Sequence, residues 1–141
     1  AFKRAKYDAL DRFLSDFVRN RARYLHASLP RLPFADCSFD RVLAANFLFT
    51  YAHTSAGGLY EGREFDLAFH LDSVRELARV ARSEIRLTPM GSFDPPPRPH
   101  EYREQIRALL EELGWKTTLV RVAYQSGLKD FNDTLVARRV R

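Results

Sequence analysis

Cysteine and long apolar runs are scarce in this chain, and each scarcity excludes a class of protein. A single cysteine, Cys37, excludes an internal disulfide framework and a cysteine-based zinc cluster. No stretch approaches the roughly 20 apolar residues of a membrane-spanning helix, and the first residues lack the basic-then-apolar pattern of a secretion signal. The 141 residues fit a single domain, 1–141. We expect a reducing, cytoplasmic location and no membrane partner.

Blocks of one charge are also missing. The net charge is +5 and the isoelectric point is near 9.7, but acids and bases are interspersed, as in Arg75-Glu76 and Arg103-Glu104. Only four of the 23 basic residues are lysine. Interspersed charges are typical of a solvated surface, so nucleic acid is a disfavoured partner. A basic nucleic-acid-binding domain stays as a third hypothesis, which a steep loss of binding with salt would support.

Apolar residues make up 45% of the chain, enough to bury a core. Their spacing in steps of three and four predicts helices over 2–23, 65–82 and 99–113. In the third helix we expect Pro99 in the first turn and Gly114 at the end. The apolar face of the first helix consists of Ala9, Leu10, Phe13, Leu14, Phe17 and Val18.

Strands are predicted between these helices. Val42 to Ala45 is a continuous apolar run, extended by Phe47 to Phe49, and such a run is typical of a strand buried on both faces of a parallel sheet. The other predicted strands are 24–29, 84–88, 115–124 and 132–139. The last two must pair antiparallel, because the connection between them is too short for a parallel crossover.

Glycine and proline mark the predicted loops. Residues 50–64 contain three glycines among small polar residues, which predicts a mobile loop. Residues 89–99 hold five of the seven prolines and can be neither helix nor central strand. Gly127 marks the loop between the last two strands. The order of elements predicts an α/β fold, a partial Rossmann-like three-layer sheet with helices on both faces and a terminal antiparallel strand pair.

Several motifs resemble those of class I S-adenosylmethionine-dependent methyltransferases. Residues 32–43 resemble the "LPF-x-D-x-SFD-x-V" segment that leads into the fourth strand of that family. Residues 75–80 resemble its "L-x-E-x-x-RV" helix, and Leu113-Gly114-Trp115 resembles the junction before its sixth strand. The closing antiparallel pair resembles its reversed final strand. The resemblance covers nearly all 141 residues.

One family motif has no counterpart. Members carry a glycine-rich turn, G-x-G-x-G, after the first strand and an acidic residue after the second, whereas the six glycines here form no such pattern. The 23 residues before Tyr24 leave no room for two strands and a helix, and the chain opens on Ala1 inside a helical pattern. We therefore expect the C-terminal two-thirds of a methyltransferase domain, truncated and inactive by itself.

The resemblance implies cofactor contacts at four residues of this fragment. Ser28 and Leu29 align roughly where the family binds the adenine ring of S-adenosylmethionine, and Asn46 and Phe47 where the methionine end of the cofactor meets the acceptor. The alternatives are a serine that caps its own turn and a Phe47 that belongs to the core with the two residues after it.

The catalytic residues stay unassigned. Tyr51 and His53 follow on the loop, and either could orient a substrate nucleophile or act as a base, although a loop histidine is more often only solvated. The four histidines lack metal-ligand spacing, so no metal site is predicted. The resemblance implies methyl transfer to an acceptor that we expect to be a small molecule. Such transfer depends mainly on alignment of the acceptor with the methyl group.

The main alternative is a non-catalytic remnant or interaction module that keeps the same core. In the family, the missing first strand lies beside the fourth. Without it, the strand at 39–45 becomes an exposed apolar edge, and such edges pair with other chains or aggregate. Self-association through this edge is therefore expected.

Overall fold

The computed structural model describes residues 2–123 and 133–140. Its α-helices and strands, in chain order, are α1 (Phe2–Arg19), β1 (Phe39–Ala45), α2 (Leu67–Val80), β2 (Ala81–Thr88), α3 (Arg103–Glu112), β3 (Trp115–Arg121) and β4 (Asp133–Arg139). The predicted loop around Gly127 lies outside the described residues. None of the described helices has the length and apolar character needed to cross a membrane.

The four strands form one mixed sheet in the order β1-β2-β4-β3. β1 and β2 are parallel, with Val42 opposite Ile85 and Ala45 opposite Thr88. β4 runs antiparallel to both of its neighbours. The predicted partial Rossmann-like α/β fold and its terminal antiparallel pair are confirmed. The predicted helices on both faces are not seen among the described residues, because α2 and α3, which contact the sheet, lie on the same face. β1 occupies one edge of this sheet.

The helices α2 and α3 pack side by side on one face of the sheet. α2 begins at Asp66, whose carboxylate accepts a hydrogen bond from the Phe69 N–H at 2.9 Å and caps the first turn. Burial of each large aliphatic side chain beneath the helices contributes about 1.5–3 kcal/mol. The core includes Val74, Leu77, Ile85, Leu87, Ile106, Leu110, Trp115 and Leu135.

The opposite face of the sheet carries charged side chains. Glu84 is buried there, with Oε1 2.8 Å from Arg86 Nε and Oε2 2.9 Å from Arg138 Nε. Burial raises the pKa of Glu84, but the two guanidinium groups outweigh it and hold that pKa below its usual value. Beside this cluster, Leu43 and Ala45 line a cavity of about 310 Å³.

The first helix forms as predicted, but most of its apolar face lies in solvent. Leu10 is half-exposed, and Val18 retains 78% of its accessible surface. The C-terminal end of α1 is held by Tyr24, whose hydroxyl donates to the Asp16 carboxylate at 2.5 Å and whose ring contacts Phe17. Helical periodicity here predicts the helix correctly but not a surface for it to cover.

Two local predictions are wrong. Residues 24–29 form no strand, because the backbone there folds into a turn in which Ser28 makes only an isolated bridge to Arg31. Pro99 lies outside α3 and instead pairs with Gly91 across the proline-rich loop. The rest of that loop contains neither helix nor regular strand, as predicted.

The loop after β1, which was predicted to be mobile, is closely packed around its buried alanines and glycines. Ala52 and Ala56 are buried. Gly58 lies so close to Ala52 that an added Cβ would stand 1.9 Å from the Ala52 carbonyl oxygen. Gly57 has a left-handed backbone, φ 96°, and its carbonyl accepts from the Phe93 N–H at 2.8 Å. The loop after β1 is thereby joined to the proline-rich loop after β2.

Candidate functional site

The carboxyl ends of the two parallel strands β1 and β2 lie side by side. Ligands of open α/β sheets bind beyond this edge, which we call the ligand edge. Just past β1, the Asn46 N–H donates to the Thr88 carbonyl at 2.8 Å. Asn46 has a left-handed backbone, φ 52°, a conformation that asparagine tolerates better than most residues. The chain turns at this point, so β1 ends at Ala45, as predicted for the strand at 39–45.

The three apolar residues after Asn46 differ in burial. Leu48 and Phe49 turn inward and are buried in the core, whereas Phe47 keeps 36% of its surface exposed. The Phe47 ring lies 5.9 Å from the ring of Tyr51 and 6.5 Å from that of Phe65, measured between centroids. Phe47 therefore lies on the surface of the ligand edge and not in the core.

A buried histidine supports this edge from below. His70 Nδ1 lies 2.7 Å from the Asp66 carbonyl oxygen, and its Nε2 lies 2.6 Å from that of Leu48. Carbonyl oxygens only accept hydrogen bonds, so a ring nitrogen of His70 that carries a proton donates to the carbonyl that it faces. His70 thus connects the first turn of α2 to the backbone next to Phe47 and fixes the position of that backbone.

His100, at the end of the proline-rich loop, is a second buried histidine. Its Nδ1 accepts from the Tyr102 N–H at 3.2 Å, and its Nε2 has no partner among the described residues. Burial, helped by the charges of His70 and Arg98, lowers the pKa of His100 to about 4. The ring is therefore neutral near pH 7, and it packs against Phe49 at 5.0 Å.

The two loop residues proposed to act on the substrate take different positions. His53 Nδ1 accepts from the Ser55 N–H at 3.1 Å and caps the short 3-10 turn of Thr54–Ala56. Because Nδ1 is engaged by the Ser55 N–H, the structure gives His53 a capping role in this loop. Tyr51 is exposed beside Phe47.

Ser28 and Leu29 lie in the segment that precedes β1. Ser28 is exposed, and its carbonyl accepts from the Arg31 N–H at 3.1 Å. Leu29 is half-buried and packs against the core. Of the four residues implied by the resemblance, Asn46 and Phe47 lie together at the ligand edge, and Ser28 and Leu29 form a separate turn. Cofactor contact stays a prediction for all four.

The two motifs that carry most of the resemblance contact each other. The Leu32 N–H donates to Glu76 Oε1 at 2.7 Å, Arg79 donates to the Phe34 carbonyl at 2.8 Å, and the Cys37 N–H donates to the Arg79 carbonyl at 2.9 Å. The hydrogen bond from Arg79 is the main reason why the pKa of Glu76 is lowered. These contacts between residues 32–37 and α2 were not predicted from the sequence. The available signal was the three-residue spacing of Glu76 and Arg79, which places the two side chains next to each other on the helix.

A cavity of about 310 Å³ lies away from the ligand edge, beside the loop that leads into β1. Cys37, Arg79 and Arg139 are among its lining residues. The Arg139 guanidinium stacks 4.6 Å over the Trp115 ring, which closes the core at this end. Within residues 2–123 and 133–140, no three His, Cys, Asp or Glu side chains are grouped so as to hold a metal ion.

The parallel pair followed by a reversed strand defines a methyltransferase-like α/β fold. The chain is similar to the crystal structure of a SAM-dependent methyltransferase from Methanosarcina mazei, with a TM-score of 0.51, 14% identity, and coverage of 81% of this chain and 65% of that one. An uncharacterized protein of Methanocaldococcus jannaschii is 27% identical over 89 residues, 63% of this chain and 35% of that protein. The chain thus spans less than two thirds of the length of either protein. No family model matches it.

Proposed function

We propose that this chain is the C-terminal part of an S-adenosylmethionine-dependent methyltransferase whose acceptor is a small molecule. The observation that supports the proposal is β4, a reversed strand inserted between β2 and β3 in a sheet that otherwise begins as a parallel α/β sheet. The similarity to the methyltransferase of M. mazei extends over 81% of the chain. In the proposed protein, a preceding segment with the glycine-rich turn supplies the remaining wall of the cofactor site.

The residues present fit one end of the cofactor. Asn46 places amide donors and an acceptor just beyond β1, and Phe47 offers an apolar face that excludes water from a methyl group. At Ser28 a hydroxyl can accept one hydrogen bond from an adenine amino group. When bound, S-adenosylmethionine would supply an electrophilic sulfonium methyl: the acceptor would attack the methyl carbon, and S-adenosylhomocysteine would leave as the sulfide. These residues contribute alignment and water exclusion, so the isolated chain is expected to be inactive.

A paired binding measurement tests the proposal. The 141-residue chain and a chain extended upstream to include the required glycine-rich turn are titrated with S-adenosylhomocysteine, and Tm is measured. A ligand at about 100 times its Kd stabilises a protein by about 2.7 kcal/mol, so the extended chain should melt several degrees higher. The short chain should not shift at millimolar ligand. A shift in the short chain, or none in either, contradicts the proposal.

Asn46 allows a sharper form of this test in the extended chain. Asn46→Gly keeps the left-handed backbone and removes only the side-chain amide. Loss of a hydrogen-bonding partner weakens binding by about 1 kcal/mol, roughly fivefold. The control is Ser55→Gly, an exposed change on the loop after β1, which should leave binding unchanged. Equal affinity in the Asn46 variant excludes that side chain from the cofactor site.

The second candidate is a non-catalytic interaction module, which the edge position of β1 favours. This strand offers an unpaired backbone edge, and Leu43 on it keeps 66% of its surface. Such an edge recruits another strand. A module of this kind would form dimers or larger species in multi-angle light scattering while ignoring S-adenosylhomocysteine in both chains. Leu43→Lys, which places a charge at the edge, should then restore the monomer.

A further inference from the structure

Four aromatic side chains form a continuous group at the ligand edge, which we call the aromatic surface: Phe47, Tyr51, Tyr60 and Phe65. Phe47 contacts both Tyr51 and Phe65, and Tyr60 lies 5.3 Å from Phe65, between ring centroids. Tyr51 and Tyr60 keep 46% and 37% of their surface exposed. Contiguous exposed apolar rings are unusual on a protein surface and mark sites of interaction.

The backbone beneath the aromatic surface is fixed. The Thr54 N–H donates to the Tyr60 carbonyl at 2.9 Å, and the Tyr60 N–H donates to the Ala52 carbonyl at 3.2 Å. Gly62 lets the Tyr60 ring pack closely, since an added Cβ would stand 2.4 Å from Tyr60 Cε1. Gly58 packs against Ala52 in the same way. A ligand therefore meets rings that are already positioned, which reduces the entropy lost on binding.

The geometry of the rings indicates the chemistry that they recognise. Neighbouring rings are inclined by 49° to 67°. Inclined rings present a mixture of faces and edges, the arrangement in which a further planar ring stacks or packs edge-to-face, at about 0.5–1.5 kcal/mol per pair. The aromatic surface itself carries no charge, and the nearby Glu61, Arg63 and Glu64 sum to −1. An anionic ligand is therefore disfavoured.

We propose that the aromatic surface binds a planar aromatic ring of the methyl acceptor, beside Asn46 at the carboxyl end of β1. The role as an acceptor site rests on the proposed methyltransferase function. Ring recognition depends only on residues 47–65, so it should be present in the 141-residue chain without cofactor. The hydroxyls of Tyr51 and Tyr60 at the rim would orient a polar substituent of the ring.

The test compares 2-naphthol with decahydro-2-naphthol, its saturated analogue, on the 141-residue chain. Saturation-transfer NMR reports which probe binds, and the aromatic shifts of the protein report where. We expect 2-naphthol to perturb Phe47, Tyr51 and Tyr60. The saturated probe should bind at least about fivefold more weakly, because it loses two ring contacts. Equal binding of the two probes, or shifts elsewhere on the chain, overturns the proposal.

Variants then locate the effect. Tyr51→Leu and Phe47→Leu keep an apolar side chain and remove one ring each, so each should weaken 2-naphthol binding about threefold to tenfold. Tyr7→Leu is the matched control, because Tyr7 is also exposed but lies on α1. Tetramethylammonium tests the alternative of an aromatic cage for cations. Binding of this cation without 2-naphthol also overturns the proposal.

The two proposals fail independently. If 2-naphthol binds as expected and the extended chain ignores S-adenosylhomocysteine, the aromatic surface is a ring-binding site of a protein that is not a methyltransferase. If the extended chain binds S-adenosylhomocysteine and 2-naphthol does not bind, the methyltransferase proposal stands and the acceptor is not aromatic.

Discussion

The helices α1 and α2 have similar amphipathic patterns, but only the apolar face of α2 is buried. In α2 the apolar face packs on the sheet, and Val74 and Leu77 are buried. In α1 the equivalent face stays in solvent, with Leu14 half-exposed and Val18 more so. The pattern of apolar residues fixes a helix and its apolar face, but burial needs a second surface. Most helical stability in proteins comes from such packing, so the two helices should contribute very differently to folding.

The largest expected effect comes from one truncation in each helix. Leu77→Ala should lower the free energy of unfolding by about 2–5 kcal/mol, because it removes buried contacts and leaves a cavity. Leu14→Ala makes the same chemical change on an exposed face and should cost less than about 0.5 kcal/mol. Urea denaturation followed by circular dichroism measures both. Equal losses would mean that α1 is buried in solution.

The pH dependence of the free energy of unfolding tests the packed region of the molecule, where His100 is buried. His100 has a pKa lowered to about 4 in the folded chain, against about 6.5 when exposed. Protons therefore bind the unfolded chain more readily, and stability should fall as the pH drops from 6.5 to 4, by on the order of 3 kcal/mol. His70, Arg98 and Asp94 are the charged neighbours that contribute to this pKa.

Two variants separate the contribution of His100 to the pH dependence of stability from that of the carboxylates. His100→Gln should remove the loss of stability that His100 causes between pH 6.5 and 4. His26 is exposed, so His26→Gln should leave that loss unchanged. The measurement is the free energy of unfolding in urea at several pH values. If His100→Gln shows the full wild-type slope, some other group is responsible for it.

A third pair of variants compares the carboxylates that anchor the two regions. Glu76 accepts from the Leu32 N–H and from Arg79, whereas Asp16 accepts from Tyr24 and Asn20 at the end of α1. Glu76→Gln weakens charge-assisted hydrogen bonds between α2 and residues 32–37, and we expect a loss of about 1–2 kcal/mol. Asp16→Asn should lower Tm less, because it releases only α1 from its own linker. The reverse order would place the important anchor at α1.

Much of this fold could be predicted from sequence, because local signals and tertiary structure agree there. The helical spacing of α2 and the short final connection were interpreted correctly. The apolar run at Val42 to Ala45 correctly predicted a parallel strand, but its expected burial on both faces is wrong, because β1 lies at the sheet edge and none of its residues is buried. Predictions failed where the decisive contact was distant or unusual. Residues 24–29 have strand-like composition but no neighbouring strand, and Pro99 is used in a bridge to Gly91 instead of a helix start.

The candidate site was predictable in position but not in composition. The resemblance to class I methyltransferases implied Asn46 and Phe47, which lie just past β1. It did not indicate Phe65, which contacts Phe47, or Tyr60, which contacts Phe65. The intervening loop, which is closely packed at Gly57 and Gly58, brings both rings to this edge. Glycines in that loop suggested freedom of movement. In the structure, they allow close packing.

Deletion of α1 has the smallest expected effect and most directly tests whether this helix, unlike α2, is unpacked. Deletion of residues 1–19 removes α1 and, because its apolar face mostly contacts solvent, should change the free energy of unfolding of the remainder by less than about 0.5 kcal/mol. Circular dichroism at 222 nm should nevertheless lose the signal of one helix. A loss of several kcal/mol would show that α1 packs on the sheet in solution. The charged face around Glu84 and the apolar cavity at Leu43 would then be its docking surface.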